Sequence, residues 1–422
     1  MEGKRMKKWL AGIMTLLLIM TVYSSATADK NKHDKQPKFR LGVDVLLQDK
    51  IKTLKNKRVG IITNPTGVNK ELTSIVDLMS DHKDINVTAL YGPEHGVRGS
   101  AQAGQYVDFY TDPKTGLPVY SLYGVTKKPT PEMLENVDVL VFDIQDVGSR
   151  FYTYIYTMAL AMEAAKENNK EIIVLDRPNP LGGKEVEGPV LEDKYSSFVG
   201  EFPIPVRHGM TVGELALLFN KQFNIGADLT VVKMEGWKRY QYYDETPLEW
   251  VLPSPNMPTL ETASVYPGAA LIEGTNLSEG RGTAKPFELI GAPFINGDEL
   301  AENLNKLDLP GVLFRSASFT PSFSKHANVL SHGIQIHVTN RNEYKPFETG
   351  LHIVKTVHDM YPNDFAFRTP GSNGISFFDN LVGNGSIRQG IEQGKTIKQM
   401  KAEWKNGLKD FMDVRKNYLL YK

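Results

Sequence analysis

Cysteine is absent from all 422 residues, which excludes disulfide staples, thiolate nucleophiles and a lipidated cysteine at a processing site. An excess of charge is missing too, since Lys+Arg and Asp+Glu number 49 each. No global positive field exists to gather nucleic acid, so nucleic acid is not an expected partner. Neither nucleotide fingerprint is present: no G-x-G-x-x-G follows the first strand-like run and no G-x-x-x-x-G-K-[ST] occurs. No nucleotide cofactor is therefore expected. The histidines lack zinc-protease spacing, Glu94 and His95 are adjacent, and His332 with His337 sits in a strand-like run, so no metal is expected either. A nucleophile elbow G-x-S-x-G is likewise missing, which argues against an esterase.

Long apolar runs are confined to the N-terminus, where Lys4, Arg5, Lys7 and Lys8 precede Trp9 to Met20 and Ala26-Thr27-Ala28 offers a small-residue cleavage site. Residues 1–28 read as an export signal, and the apolar run is short for the roughly 20 residues of a membrane span. The mature protein is expected to start near Asp29, to be secreted and cell-wall associated, and to have no membrane contact after cleavage; a retained anchor is the competing reading. Residues 29–39 form a polar, basic lead-in expected to be disordered.

Past the lead-in, strand-like and helix-like segments alternate. Arg58 to Thr63, Asn86 to Tyr91, Val137 to Phe142 and Ile172 to Leu175 read as strands, the third as apolar as a strand buried on both faces. Between them Leu72, Ile75, Val76 and Met79, and later Tyr152, Ile155, Ala159 and Met162, recur at helical spacing. Such alternation predicts an α/β fold with an open, doubly wound parallel sheet. Thr211 with Glu214 has capping-box spacing ahead of a further helix, and Asp228 to Val232 reads as another strand. The proline-rich LPSPNMP then precedes a domain boundary placed near Ser264, giving domains 40–264 and 265–422. A long amphipathic helix with Ile397, Met400, Trp404, Leu408 and Phe411 is expected to cover a sheet face.

Ligands in doubly wound sheets bind outside the carboxyl ends of the strands. Four polar loops should meet there: Thr63-Asn64-Pro65, GPEHGVRG (92–99), DIQDVGSR (143–150) and DRPNP (176–180). Each member has a bland alternative, since Asn64 and Asn179 beside prolines suit turns, Asp176 with Arg177 suits an ion pair, and Asp146 or Ser149 suits a helix cap. Across the boundary, IEGTNLSEGRGT (272–283) adds Glu273, Asn276, Glu279 and Arg281. Glycoside hydrolysis needs two carboxyl groups flanking the bond, and Glu94 with an acid from the second domain would suit it. Glycines beside Glu94 let backbone approach a ligand. An exported wall-sugar-binding protein without catalysis would also have two α/β lobes around a cleft, but has no use for two facing acids.

Taken together, ITNPTGVN (62–69), YGPEHGVRG, PVYSLYG (118–124), FDIQDVGSRFYTY (142–154), DRPNPLGG (176–183), LPSPNMPT (252–259) and EGTNLSEGRGT resemble the NamZ-type exo-β-N-acetylmuramidases of peptidoglycan recycling. The resemblance covers nearly the whole mature chain. It implies a Rossmann-like N-terminal domain, a smaller α+β C-terminal domain and a cleft between them that releases N-acetylmuramic acid from the non-reducing end of peptidoglycan fragments without a cofactor. By position, Glu94 is the first candidate for the general acid and Glu279 for the second carboxylate, with Glu273 and Asp146 as rivals. His95 and Arg98 would orient the acid or contact the sugar. Asn64, Asp143, Tyr152, Asp176, Asn179, Asn256 and Asn276 complete the candidate binding residues. The lactyl carboxylate of muramic acid calls for a cation, for which Arg98, Arg150, Arg177 and Arg281 are the candidates. Retention, inversion and substrate-assisted attack all stay open.

Overall fold

Seven strands, β1 (Arg58–Thr63), β2 (Asn86–Gly92), β3 (Tyr110–Thr111), β4 (Pro118–Ser121), β5 (Val139–Asp143), β6 (Glu171–Leu175) and, after a two-stranded ribbon of β7 (Glu187–Val190) and β8 (Pro205–Arg207), β9 (Asp228–Val232), build the central sheet. The structure is a computed structural model that describes residues 39–99 and 108–422; the expected export signal, and the lead-in as far as Lys38, lie outside the described residues. Strand order is β3-β4-β2-β1-β5-β6-β9. Every pairing is parallel except β3 with β4, so the two-residue β3 is the one departure from the all-parallel expectation. The four-residue β4, lying between turns, is too short to show a period of its own in the sequence.

Burial on both sheet faces explains the apolar strands. In β5, Leu140 and Phe142 enter the core shared with helices Tyr154–Glu167 and Val212–Gln222, while Val139 and Val141 join the core under helices Gly42–Asp49 and Ile75–Ser80. Two helix starts differ from the sequence periodicity. Leu72 stays outside its helix with a φ of 61°, because the Asn69 side chain accepts from Glu71 N and Thr73 N and turns the chain first. Tyr152 also precedes its helix, which begins at Tyr154, and neither Asp146 nor Ser149 caps that helix. The capping box forms as expected: Thr211 Oγ1 accepts from Glu214 N at 3.3 Å and Glu214 Oε2 from Thr211 N at 3.0 Å.

The smaller C-terminal lobe holds β10 (Leu289–Ala292), β11 (Val312–Phe319) and β12 (Ser331–Val338), antiparallel in the order β10-β12-β11. Its last helix, Ile397–Arg415, buries Ile397, Met400, Trp404 and Phe411, with Trp404 edge-on to Phe347 at 5.8 Å. Helix Leu260–Ala269 crosses helix Pro346–Met360 with backbones touching. A Cβ added to Gly268 would lie 1.9 Å from Pro346 O, and one on Gly350 would lie 2.3 Å from Gly268 O. This crossing fixes the turn Ala270–Gly274, which directly continues the first helix and carries Glu273.

Gly268→Ala and Gly350→Ala should each destabilise the fold by about 1–3 kcal/mol through overpacking, despite the roughly 1 kcal/mol that alanine gains over glycine in a helix. Urea unfolding checks this, and a stabilised variant at either site would show that the helices are free to separate.

Candidate active site

Glu94 leaves the carboxyl end of β2 on a loop folded tightly back on itself. His95 and Gly96 both have a φ of 75°, Gly96 N donates to Pro93 O at 2.9 Å, and a Cβ on Gly92 would lie 2.9 Å from Val97 N. A left-handed histidine is uncommon, and the glycines supply the space that holds it there. Arg98 clamps the loop from behind: its Nε and Nη2 donate to Asp112 at 2.9 and 3.0 Å, and Nη2 also reaches Asp77 at 3.0 Å. The Arg98 guanidinium pushes the Asp112 carboxyl down to about 2. Tyr154 ties the loop to LPSPNMP, donating from its hydroxyl to Pro253 O at 2.6 Å with Glu94 O at 3.4 Å.

Two adjoining cavities share Glu94, Glu273 and Arg281 as lining residues. The inner one, about 240 Å³, is walled by Phe151, Tyr152, Tyr154 and Tyr266 and includes His95 and Tyr123. Tyr152 packs edge-on to Tyr154 at 5.1 Å and to Tyr266 at 5.7 Å, and its buried hydroxyl has no hydrogen-bond partner among the described residues. Tyr123 shares a hydrogen bond with the Glu94 side chain; burial first, and then the Glu94 charge, raise its phenol to about 12.

The outer cavity, about 830 Å³, adds Asn276, Glu279, Phe323, Lys325, His326 and Arg368. Arg281 sits between two acids, with Nη2 3.4 Å from Glu273 Oε1 and Nε 3.2 Å from Glu279 Oε1. Lys325 approaches Glu279 Oε2 at 2.9 Å and donates to Ile272 O and Thr275 O at 2.8 and 3.0 Å. Glu279, 3% exposed, is thus gripped by two cations. Burial raises the Glu273 carboxyl above the usual range, and Glu273, unlike Glu279, faces both cavities. By sequence Glu279 ranks first as the second carboxylate with Glu273 as a rival; both line the outer cavity, and Glu273 lines the inner one as well.

Several candidates line neither cavity and support the site instead. Arg177 and Asp143 form a buried pair at 2.5 and 2.8 Å. Asp176 accepts from Thr211 Oγ1, Gly213 N and the Tyr421 hydroxyl at 2.8, 2.8 and 2.5 Å, anchoring a helix start and the C-terminus. Asn179 bridges Leu181 N and Met210 O, Asn64 Oδ1 holds Thr66, and Asn256 is buried behind Ser254. Asp146 accepts from Gly148 N at 2.7 Å, lies 3.3 Å from His208 Nε2 and lines neither cavity. Arg150 is fully buried, donating to the carbonyls of Pro189, Ile204 and Leu381 at 3.0, 3.0 and 2.6 Å. Of the four arginines expected to meet a carboxylate ligand, only Arg281 reaches the cavities, and two glutamates already occupy it. Asn276 does line the outer cavity, but its amide is committed to Asp364 O and Ala366 N.

Tyr123, Tyr266, Lys325, His326 and Arg368 are lining residues that sequence reasoning missed. Tyr123 lay within the quoted PVYSLYG; Arg368, in an exposed stretch without a motif, gave no signal. No group of three or more metal-ligating side chains occurs among the described residues, and no helix among them is long and apolar enough to cross a membrane.

Family comparisons fit this geometry. The model for the N-terminal part of the exo-β-N-acetylmuramidase NamZ matches residues 59–261, and that for the C-terminal part matches residues 264–421. The chain belongs to the NamZ exo-β-N-acetylmuramidase family. A peptidoglycan β-N-acetylmuramidase NamZ of Bacillus subtilis is 59% identical over 419 residues, covering 99% of this chain and all of that one. Crystal structures of two DUF1343-family proteins of Bacteroides fragilis are similar with TM-scores of 0.85 and 0.72, at 43% and 34% identity, each over 91% of this chain and 99% of the other. The α/β fold with its large, mostly parallel sheet and smaller C-terminal domain is thus similar to that of these two crystal structures.

Arg150→Lys should cost about 3 kcal/mol, because one ammonium cannot reach three carbonyls set around a planar guanidinium and stays buried without a counter-charge. Chemical denaturation measures this. A variant of native stability that loses only substrate affinity would return Arg150 to the binding residues.

Proposed function

We propose that this protein is a secreted glycosidase that removes N-acetylmuramic acid from the non-reducing end of peptidoglycan fragments during cell-wall turnover. The observation carrying this reading is that Glu94 and Glu273, from opposite lobes, face the same two cavities. A signal-like N-terminus, and the activity named for the Bacillus subtilis relative, support the location and the substrate. The inner cavity, closed by aromatic walls, suits a single terminal sugar; the wider outer one suits what is attached to it.

Glycosidases divide labour between a carboxyl that holds a proton and one that does not, and desolvation is the usual means of raising the first. Burial fits Glu273 to be the proton donor to the leaving oxygen. Glu94, hydrogen-bonded to Tyr123, is then the carboxylate that activates water, attacks the anomeric carbon or orients the N-acetyl group. This reverses the role that the motif alone suggested for Glu94. Glu279 positions Arg281 and Lys325, and Tyr123 positions Glu94.

An activated aryl β-N-acetylmuraminide, whose leaving group needs no protonation, separates the two roles from a natural muramyl disaccharide, whose leaving group does. Glu273→Gln should lose more than about 10²-fold on the disaccharide while keeping most aryl turnover, and should lose the alkaline limb of the wild-type pH profile, where a donor with a raised pKa gives up its proton. Glu94→Gln should lose both substrates. Equal losses on both substrates in Glu273→Gln would remove it as the acid, and wild-type protein inert toward every muraminide would overturn the glycosidase reading in favour of binding alone.

A further inference from the structure

The proposed substrate carries a carboxylate, and the cations expected to receive it are already engaged. Arg98, Arg150 and Arg177 are held by Asp112 and Asp77, by three carbonyls, and by Asp143. In the outer cavity Arg281 is shared by two glutamates. Lys325 donates to Ile272 O and Thr275 O and lies within ion-pair distance of Glu279 Oε2, so it fastens the β11–β12 loop to the Glu273 turn rather than waiting for a ligand. His326 Nε2 is 2.8 Å from Asn276 O.

Arg368 differs from all of these. Its backbone N donates to Gly274 O at 2.9 Å, which fixes it beside the Glu273 turn. Its guanidinium lies 5.3 Å from the Phe377 ring centroid and makes no ion pair among the described residues. The residue is exposed, yet it lines the outer cavity that Glu94 and Glu273 share. A guanidinium steadied on an aromatic face, its five N–H donors without a hydrogen-bond partner among the described residues, is prepared for a planar, bidentate anion.

We propose that Arg368 is the specificity residue that reads the lactyl carboxylate of the terminal N-acetylmuramic acid, and that the outer cavity is the carboxylate subsite. This inference rests on the muramidase reading above. The lactyl ether hangs from the sugar held beside Glu94 and Glu273, and the side of the cleft bearing Arg368 is the one where an added negative charge meets an unpaired cation. Glu273 and Glu279, already satisfied by Arg281 and Lys325, repel a carboxylate elsewhere in the cavity and leave Arg368 as its partner.

The test compares aryl β-N-acetylmuraminide, its lactyl methyl ester, a muramoyl-L-alanine glycoside and aryl β-N-acetylglucosaminide, using the mature chain and its Arg368→Gln and Arg368→Lys variants. One charge-assisted, partly exposed pair supports a discrimination of about 10- to 100-fold. Arg368→Gln should lower kcat/KM for the free acid by that factor, mainly through KM, so that the acid and its methyl ester become equivalent; Arg368→Lys should recover part of the loss. Unchanged preference for the free acid in Arg368→Gln would overturn the inference while leaving the glycosidase standing. An Arg368-dependent preference for the alanyl substrate would overturn it in favour of the stem-peptide carboxylate. Should wild type cleave nothing, calorimetric binding of N-acetylmuramic acid and N-acetylglucosamine to the same proteins decides: binding of the acid alone, lost in Arg368→Gln, keeps the subsite, and any other pattern ends it.

Discussion

Arg281 is the charge around which the cleft is built. Its guanidinium lies between Glu273 and Glu279, and Lys325 closes the chain on the far side of Glu279. A buried charge needs an opposite charge or several hydrogen bonds, and stripping one member of a buried ion pair costs several kcal/mol because it strands the other. The network therefore ties residues 272–283 to the β11–β12 loop. Its asymmetry matters for chemistry. Glu279 meets two cations at short range, whereas Glu273 meets one at longer range, and burial lifts its carboxyl. One ion cluster thus gives a fixed acid that organises and a second acid that can carry a proton.

Across the cleft the constraint is topological. Parallel strands bring their carboxyl ends to one edge, and the order reverses around β1, with β2 on one side and β5 on the other. A switch point of this kind leaves a crevice between diverging loops. The loop after β2 fills it with Glu94, held by two left-handed residues, by the Tyr154 hydroxyl and by Arg98 pulling toward Asp112. The loops after β5 and β6 spend their polar groups inward, and this rigid support lets the Glu94 loop keep its shape beside a solvent-filled cavity.

Much of this was legible in the chain. Strands β1, β5 and β6 announced themselves because each is buried on both faces over nearly its whole length and so reads as a near-continuous apolar run, whereas β2 and the edge strand β9 start exposed and read as strands on their β-branched residues. The four loops at the sheet edge followed from that alternation, and Glu94 followed from the loops. Depth was not legible. Arg150 and Arg177 have the same residue type in sequence whether they face a ligand or three carbonyls, and only packing tells these apart. The choice between Glu273 and Glu279 hung on which neighbouring cation lay nearer, a matter of ångströms. Tyr152 read as a helix residue on spacing alone, yet a turn ahead of the helix carries its ring to the cavity wall. Lys325 and Arg368 come from distant segments of ordinary composition, so nothing local marked them.

The most direct measurement of the central claim is a double-mutant cycle on turnover of a muramyl disaccharide with Glu94→Gln, Glu273→Gln and the combined variant. Groups that act on one bond as a unit are grossly non-additive, so the combined variant should fall within a few-fold of the worse single variant. Losses that multiply would show that Glu94 and Glu273 act independently, and would contradict a shared catalytic site across the cleft.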